Sequence, residues 1–309
     1  MIEVEPPSPF GADGVQWAWN ATSLTLLMEC PKKYYYAQVI GWRAKGPSVH
    51  LDFGGHYAKA LERYHKLRAD GQDHRGALAS AVAGALDDTW LNREPDGSGG
   101  APWVSDHNAK TRETLIRSIV WYLENWKDDP CKTVVLENGA AAVELSFQLP
   151  VSDSVTLVGH LDRLVEFQGD LYVQDQKTTG SSFSARYFDQ WDLSVQMSTY
   201  TLAAKAVFNT PVKGVIIDAA QIAVGFTAFQ RGFTFRTERQ MEEFLSTVHH
   251  YVGQARQFTE AKQWPMNTTA CDKFGGCQFR KICSKDPGQR ERFLRADFEI
   301  KPFNPLEIR

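Results

Sequence analysis

Across residues 143–177 apolar side chains recur at every second position in three successive runs, a pattern that only a pleated strand gathers on one side of the chain. VELSFQLP (143–150), VTLVGHLDRLVEF (155–167) and LYVQDQK (171–177) therefore read as consecutive strands. A short turn at Gln168-Gly169-Asp170 joins the last two, so the three form an antiparallel meander. On the third strand Leu171, Val173, Asp175 and Lys177 share one face. An acid and a base there can be a buried ion pair, but such pairs seldom improve on apolar packing. The other reading is a divalent cation held by Asp175, with Lys177 beside it to orient or deprotonate a water. A hard cation takes several oxygen ligands. Asp162 lies on the neighbouring strand and can converge with Asp175 across the turn; its alternative partner is the adjacent Arg163.

The elements around the meander follow from other periods. A short helix ends near Cys30, with Thr22 and Ser23 as candidate caps. FGGHYAKALERYHKLRADG reads as a helix entered through Gly54 and Gly55, closed by Gly71, with His56, Ala60 and Tyr64 on one stripe. Another helix is expected over 76–92 and a flexible loop at EPDGSGGAP (94–102). An amphipathic helix capped by Asp106 follows, carrying Leu115, Ile116, Ile119, Val120, Leu123 and Trp126. Beyond the meander come a long helix over 186–209, strands at 212–222 and 226–236, and a helix over 238–259. This order predicts an α/β layer fold with a central mixed sheet.

The chain has 309 residues, 43% hydrophobic and 23% charged, which suits a globular protein with a sizeable core. No run approaches the roughly 18 apolar residues of a membrane span, and MIEVEPPSPFGADG lacks the basic start of a signal peptide, so a cytoplasmic protein is expected. The net charge of −3 hides local bias. PKKYYYAQVIGWRAK (31–45) carries Lys32, Lys33, Arg43 and Lys45, no acid and four aromatic residues. That mixture suits a phosphate backbone with stackable bases, or a solvated segment whose rings face the core. A second basic region, 262–285, contains Cys271, Cys277 and Cys283; Cys30 and Cys131 stand apart. Five cysteines fit a disulfide framework poorly, whereas a metal site with one distant ligand fits their spacing.

GHLDR followed after a hairpin by DQK resembles the PD-(D/E)XK nuclease superfamily, and the order of the remaining motifs resembles its RecB-like, AddB-type branch with phage-type and CRISPR-associated-type exonucleases. The resemblance implies a restriction-endonuclease-like core, a helical N-terminal insertion and a cysteine-rich C-terminal segment. It divides the chain into an arm (1–20), a nuclease domain (21–260, helical at about 54–130, catalytic at about 140–260), a cluster segment (261–285) and a tail (286–309). It implies that Asp162, Asp175 and the backbone carbonyl of Gln176 hold Mg²⁺ or Mn²⁺, with His56 of GGHYAKALE as a nitrogen ligand. Lys177 is then catalytic, Gln196 and Tyr200 of QMSTY serve as its Q-x-x-x-Y pair, and Glu144 of VELSF is a further metal contact or lies just behind the ligands. Cys30 with Cys271, Cys277 and Cys283 would hold a [4Fe–4S] cluster, or zinc; the gap from Cys271 to Cys277 is longer than the commoner pattern. Cys131 reads as a free thiol.

The expected activity is metal-dependent, sequence-indifferent hydrolysis of DNA, by an exonuclease that prefers single strands and acts in a bacterial or phage-infected cell. Lys32, Lys33, Tyr36, Arg43, Arg280 and Lys281 are the expected DNA contacts. GxxxxGK[ST] is absent, so the chain does not drive its own unwinding, and a helicase or a recombination/adaptation partner is among the expected partners. The alternative is a catalytically silent DNA-binding scaffold within a larger complex.

Overall fold

The structure, a computed structural model, describes residues 7–46, 48–94, 96–208 and 211–307. Positions 1–6 of the expected arm, Pro95 in the expected loop, position 209 at the end of the expected long helix and positions 308–309 of the tail lie outside the described residues. In chain order the elements are β1 (Ala18–Trp19), α1 (Ala21–Glu29), α2 (Pro31–Tyr34), β2 (Trp42–Ala44), α3 (Val49–Ala69), α4 (His74–Asp88), β3 (Trp90–Leu91), β4 (Ala101–Pro102), α5 (Arg112–Asn125), β5 (Lys132–Thr133) and β6 (Val143–Ser152). They continue with β7 (Val155–Phe167), β8 (Asp170–Thr179), α6 (Ala185–Asp189), α7 (Val195–Phe208), β9 (Val212–Ile222), β10 (Thr227–Phe235), α8 (Glu238–Glu260), α9 (Arg280–Cys283), α10 (Arg290–Asp297) and β11 (Phe298–Ile300).

The chain divides into two compact units: Met1–Gly46, Ser146–Gly159 and Thr237–Arg309 form one, and Pro47–Leu145 with His160–Arg236 form the other. The second unit carries the mixed sheet expected from the sequence, in the order β7-β8-β9-β10. β7 and β8 are antiparallel, β8 and β9 parallel, and β9 and β10 antiparallel. A parallel neighbour needs a crossover connection, which α6 and α7 supply. α7 packs on β8 and β9. Phe53, Tyr57 and Leu61 of α3 meet Leu115, Ile119 and Tyr122 of α5, and this core takes in Ala220 and Ile222 of β9.

The hairpin between β7 and β8 is tighter than the three-residue turn read from the sequence. Phe167 pairs with Asp170, so only Gln168 and Gly169 form the loop, with φ of 54° and 85°. Two successive positive φ values are the mark of a type I′ turn, whose twist matches that of the flanking strands. This turn fixes Arg163 opposite Gln174, and thus makes Asp162 and Asp175 the next positions along the two strands.

Several boundaries differ from the sequence reading. α3 begins at Val49 and runs through Gly54 and Gly55, because burial of Phe53 and Tyr57 outweighs the poor helix propensity of two glycines. Asn20 caps α1 in a capping box with Ser23 at its third position, and Thr111 caps α5 in place of Asp106. The single helix expected over 186–209 is broken between α6 and α7. There the Trp191 carbonyl accepts from Arg236 Nη2 at 2.8 Å and the Asp192 carboxylate from Thr234 Oγ1 at 2.9 Å, which draws these residues out of a continuous helix.

In the first unit β1 pairs in parallel with the start of β7, and α1 packs on α8. The aromatic run 34–36 turns inward there. Tyr34 stacks on Trp19 and meets Trp264, while Tyr36 packs on Phe279 within a core shared with Trp42, Leu294 and Phe298. The tail supplies α10 and β11, and β11 pairs with β2.

Candidate active site

Asp175 ends the apolar part of β8 in full burial, 0% exposed. Its carboxylate has two neighbours. Lys177 Nζ stands 2.5 Å from Oδ2, and Gln196 Nε2, on the first turn of α7, donates to Oδ1 over 3.4 Å. Gln196 also donates to the Tyr200 hydroxyl at 2.9 Å, as the i, i+4 spacing on one helical face allows. Asp162, on β7, accepts the Gln176 backbone N–H at 2.9 Å, so the two aspartates converge across the hairpin. The sequence left Arg163 open as the partner of Asp162. Adjacent strand residues point to opposite faces, and Arg163 turns away to donate to the Cys131 carbonyl at 2.5 Å, Thr133 Oγ1 and His65 Nε2.

Burial pushes the Asp175 carboxyl up to about 7; Lys177 opposes this and the charge of Asp162 adds to it. Burial likewise raises the Tyr200 phenol, with the charges of Asp162, Asp175 and Glu144 adding to the effect. Glu144 therefore belongs to the same neighbourhood. It sits at φ 54°, a left-handed conformation unusual for a non-glycine residue and of the kind that collects at functional sites. Lys177 Nζ lies 5.4 Å from the centre of the Trp191 ring. The Tyr187 phenol, pushed up to about 12 by burial, also feels the charge of Asp175.

A fully buried carboxylate raised to about 7, with one ammonium neighbour and one long donor, has lone pairs to spare for a hard cation. A second carboxylate and the Gln176 carbonyl are of the right oxygen chemistry beside it. His56 lies on α3 with its ring 6.0 Å from that of Trp103. α3 packs on β8, where a Cβ at Gly54 would lie 3.6 Å from Thr178 Oγ1. Among the described residues no group of three or more His, Cys, Asp and Glu side chains is arranged to hold a metal ion.

In the first unit, burial raises the Cys283 thiol; the Arg290 charge lowers it, and those of Cys277, Cys30 and Cys271 raise it, so each of these three cysteines lies within electrostatic range of Cys283. Among the described residues none of the five cysteines forms a disulfide. Of the expected DNA contacts, Lys281 is exposed, Lys33 pairs with Glu29 at 2.7 Å, Arg280 pairs with Asp272, and Arg43 is half-buried on β2. The ring of Tyr36 is 7% exposed and Lys32 lies over it. Tyr36 therefore offers no free face to a base, a correction that follows from the use of this segment as core.

Two features of the second unit escaped the sequence reading. Behind β8 lies a buried ionic network: Arg231 donates to Asp129 at 2.6 Å and 2.9 Å and to Asp218 at 3.0 Å, Arg163 reaches Asp129 at 3.4 Å, and Asp218 accepts from Tyr122 at 2.5 Å and from Gln174. Its signal was Asp218 as the one acid in the run VKGVIIDAAQI, between VII and AA. The second is the group of rings at Phe183, Tyr187, Phe188 and Trp191, signalled by their density between two structured segments.

The mixed sheet thus brings two aspartates and a lysine together at a hairpin. A model of the PD-(D/E)XK nuclease superfamily matches residues 18–284, and the chain belongs to that superfamily. No curated protein matches the chain. Among solved structures it is similar to a protein described as a candidate exonuclease, from Eubacterium rectale, with a TM-score of 0.47 and 10% identity, over 82% of this chain and 85% of that one. Among the described residues no helix is long and apolar enough to cross a membrane.

Proposed function

We propose that this chain is a divalent-metal-dependent deoxyribonuclease that digests DNA from free ends, prefers single strands and is indifferent to sequence. The observation that carries the reading is the convergence of Asp162, Asp175 and Lys177, with Gln196 and Tyr200 behind them. Asp162, Asp175 and the Gln176 carbonyl would hold Mg²⁺ or Mn²⁺, with His56 and Glu144 as further contacts. When bound, the cation polarises the scissile phosphate and lowers the pKa of a water. Gln196, fixed by Tyr200, holds the Asp175 carboxylate in orientation. Lys177, held between Asp175 and the Trp191 ring, aligns the attacking water and offsets the charge that develops on the phosphate oxygens.

The test is digestion of end-labelled linear and circular oligonucleotides, single- and double-stranded, with Mg²⁺, Mn²⁺ or EDTA. Linear single strands should be lost fastest, circles spared and EDTA inhibitory. Lys177→Ala should lower kcat by about 10²–10⁴-fold while leaving the circular dichroism spectrum unchanged. A Lys177→Ala protein that cuts as fast as the parent would exclude this chemistry.

The four cysteines of the first unit are proposed to hold a [4Fe–4S] cluster, in preference to zinc, as a brace between α1 and the C-terminal segment. The electrostatic reach of Cys30, Cys271 and Cys277 to Cys283, and thiolate chemistry, support this assignment. Anaerobically purified protein should be brown and contain iron, and Cys283→Ser should lose most of both. Colourless protein that carries zinc would reassign the site.

A further inference from the structure

Four rings gather between β8 and α7. Tyr187 and Phe188 centroids are 5.0 Å apart, Phe183 lies 5.6 Å from Tyr187 and 6.0 Å from Phe188, and Trp191 lies 6.5 Å from Tyr187. All four are half-buried, and Leu193, next in line, is 90% exposed. Folding by itself gives little reason to leave so much aromatic surface near water.

The group is firmly fastened. Phe188 lies on the bare backbone of Gly232, where a Cβ would fall 2.1 Å from Phe188 Cδ1. Arg236 joins the Trp191 carbonyl to Ser198 Oγ on α7, and Thr234 holds Asp192. The rings are thus presented on a fixed shelf whose inner end, Trp191, touches Lys177 at 5.4 Å. The rings pack mostly edge-to-face, at 61° to 88°, and a group of rings fixed in this way, with Trp191 beside Lys177, loses little conformational entropy when a planar ligand arrives.

We infer that Phe183, Tyr187, Phe188 and Trp191 form a stacking shelf for the unpaired bases of the DNA strand that is cut at Asp175 and Lys177. The inference rests on the nuclease reading above and adds to it the structural source of single-strand preference. Every base has a π-face, so a shelf of rings accepts any sequence. Bases within a duplex are already stacked and paired, so the same shelf admits a strand only where it is unpaired. The sequence placed a DNA-contacting ring at Tyr36, which the fold uses as core.

The test uses Asp175→Asn protein, which spares the strand, and fluorescence anisotropy with a labelled single-stranded oligonucleotide. A second strand lacks the bases of its terminal three nucleotides but keeps every phosphate. The Asp175→Asn protein should bind the abasic strand about tenfold more weakly or worse. 2-Aminopurine at a terminal position should be quenched on binding. Adding Tyr187→Ala or Gly232→Ala should weaken binding of the intact strand by a similar factor and shrink the difference between the two strands. Equal affinity of the Asp175→Asn protein for the two strands overturns the shelf, and does so even where the ring variants fail to fold. Parent protein that cuts DNA yet shows that equality leaves the nuclease reading intact; parent protein that neither binds nor cuts DNA removes both.

Discussion

Asp175→Asn should abolish metal-dependent cleavage and, at pH 8 without metal, raise Tm. The Asp175 carboxyl is fully buried and raised from 3.8 to about 7, mainly by burial. Between those two values the folded chain holds the proton more tightly than the unfolded chain does. The contribution to stability is therefore complete below about pH 4 and is lost as the pH rises through about 7. At pH 8 the folded protein carries a buried charge that Lys177 pairs with at 2.5 Å. Asparagine keeps the shape and removes that charge, and Lys177, at 22% exposure, can turn to water. Scanning calorimetry should show Tm rising by about 2–4 °C for each kcal/mol recovered, with the gain disappearing near pH 4. Mg²⁺ or Mn²⁺ should raise Tm of the parent at pH 8 and leave the variant unmoved. A variant that melts below the parent at pH 8, or still responds to metal, would contradict Asp175 as the ligand whose burial the cation offsets.

Asp218→Ala should give the largest loss of stability. Asp218 is 2% exposed and accepts from Tyr122, Gln174 and Arg231, so its removal leaves a buried guanidinium short of one counter-charge and two donors without an acceptor. Breaking one partner out of a buried ion pair costs about 3–5 kcal/mol, equivalent to about 10 °C or more in Tm. Asp129 still faces Arg231 and keeps the loss from being larger. Urea unfolding should report the deficit, and Asp218→Asn, which retains an acceptor, should show a smaller one. A loss below about 1 kcal/mol would mean that the network contributes little beyond what apolar packing there would give.

The parts of this site that were legible in the sequence are those fixed by local geometry. Period-two runs placed Asp162 and Asp175 on adjacent strands, and a two-residue turn left one register in which they meet. The i, i+4 spacing sufficed for Gln196 and Tyr200. Long-range pairing was not legible: nothing near Arg231 announces Asp129, 102 residues away in sequence, or says that Tyr34 and Tyr36 are core and Tyr187 half-exposed. Interruption of the 186–209 helix was equally hidden, since it depends on Arg236 and Thr234 from the next strand pair.

The nesting of the two units also sets an order of assembly during synthesis. All of the second unit has been made by Arg236, whereas the first still lacks α8, Cys271, Cys277 and Cys283, and the strand that pairs with β2. Residues 42–44 must wait for residues 298–300, a loop of some 250 positions to close. Domains fold as units while the chain is still emerging from the ribosome. The sheet that carries Asp175 and Lys177 can therefore be complete before β2 meets β11, so closure of the first unit is the late and slower event.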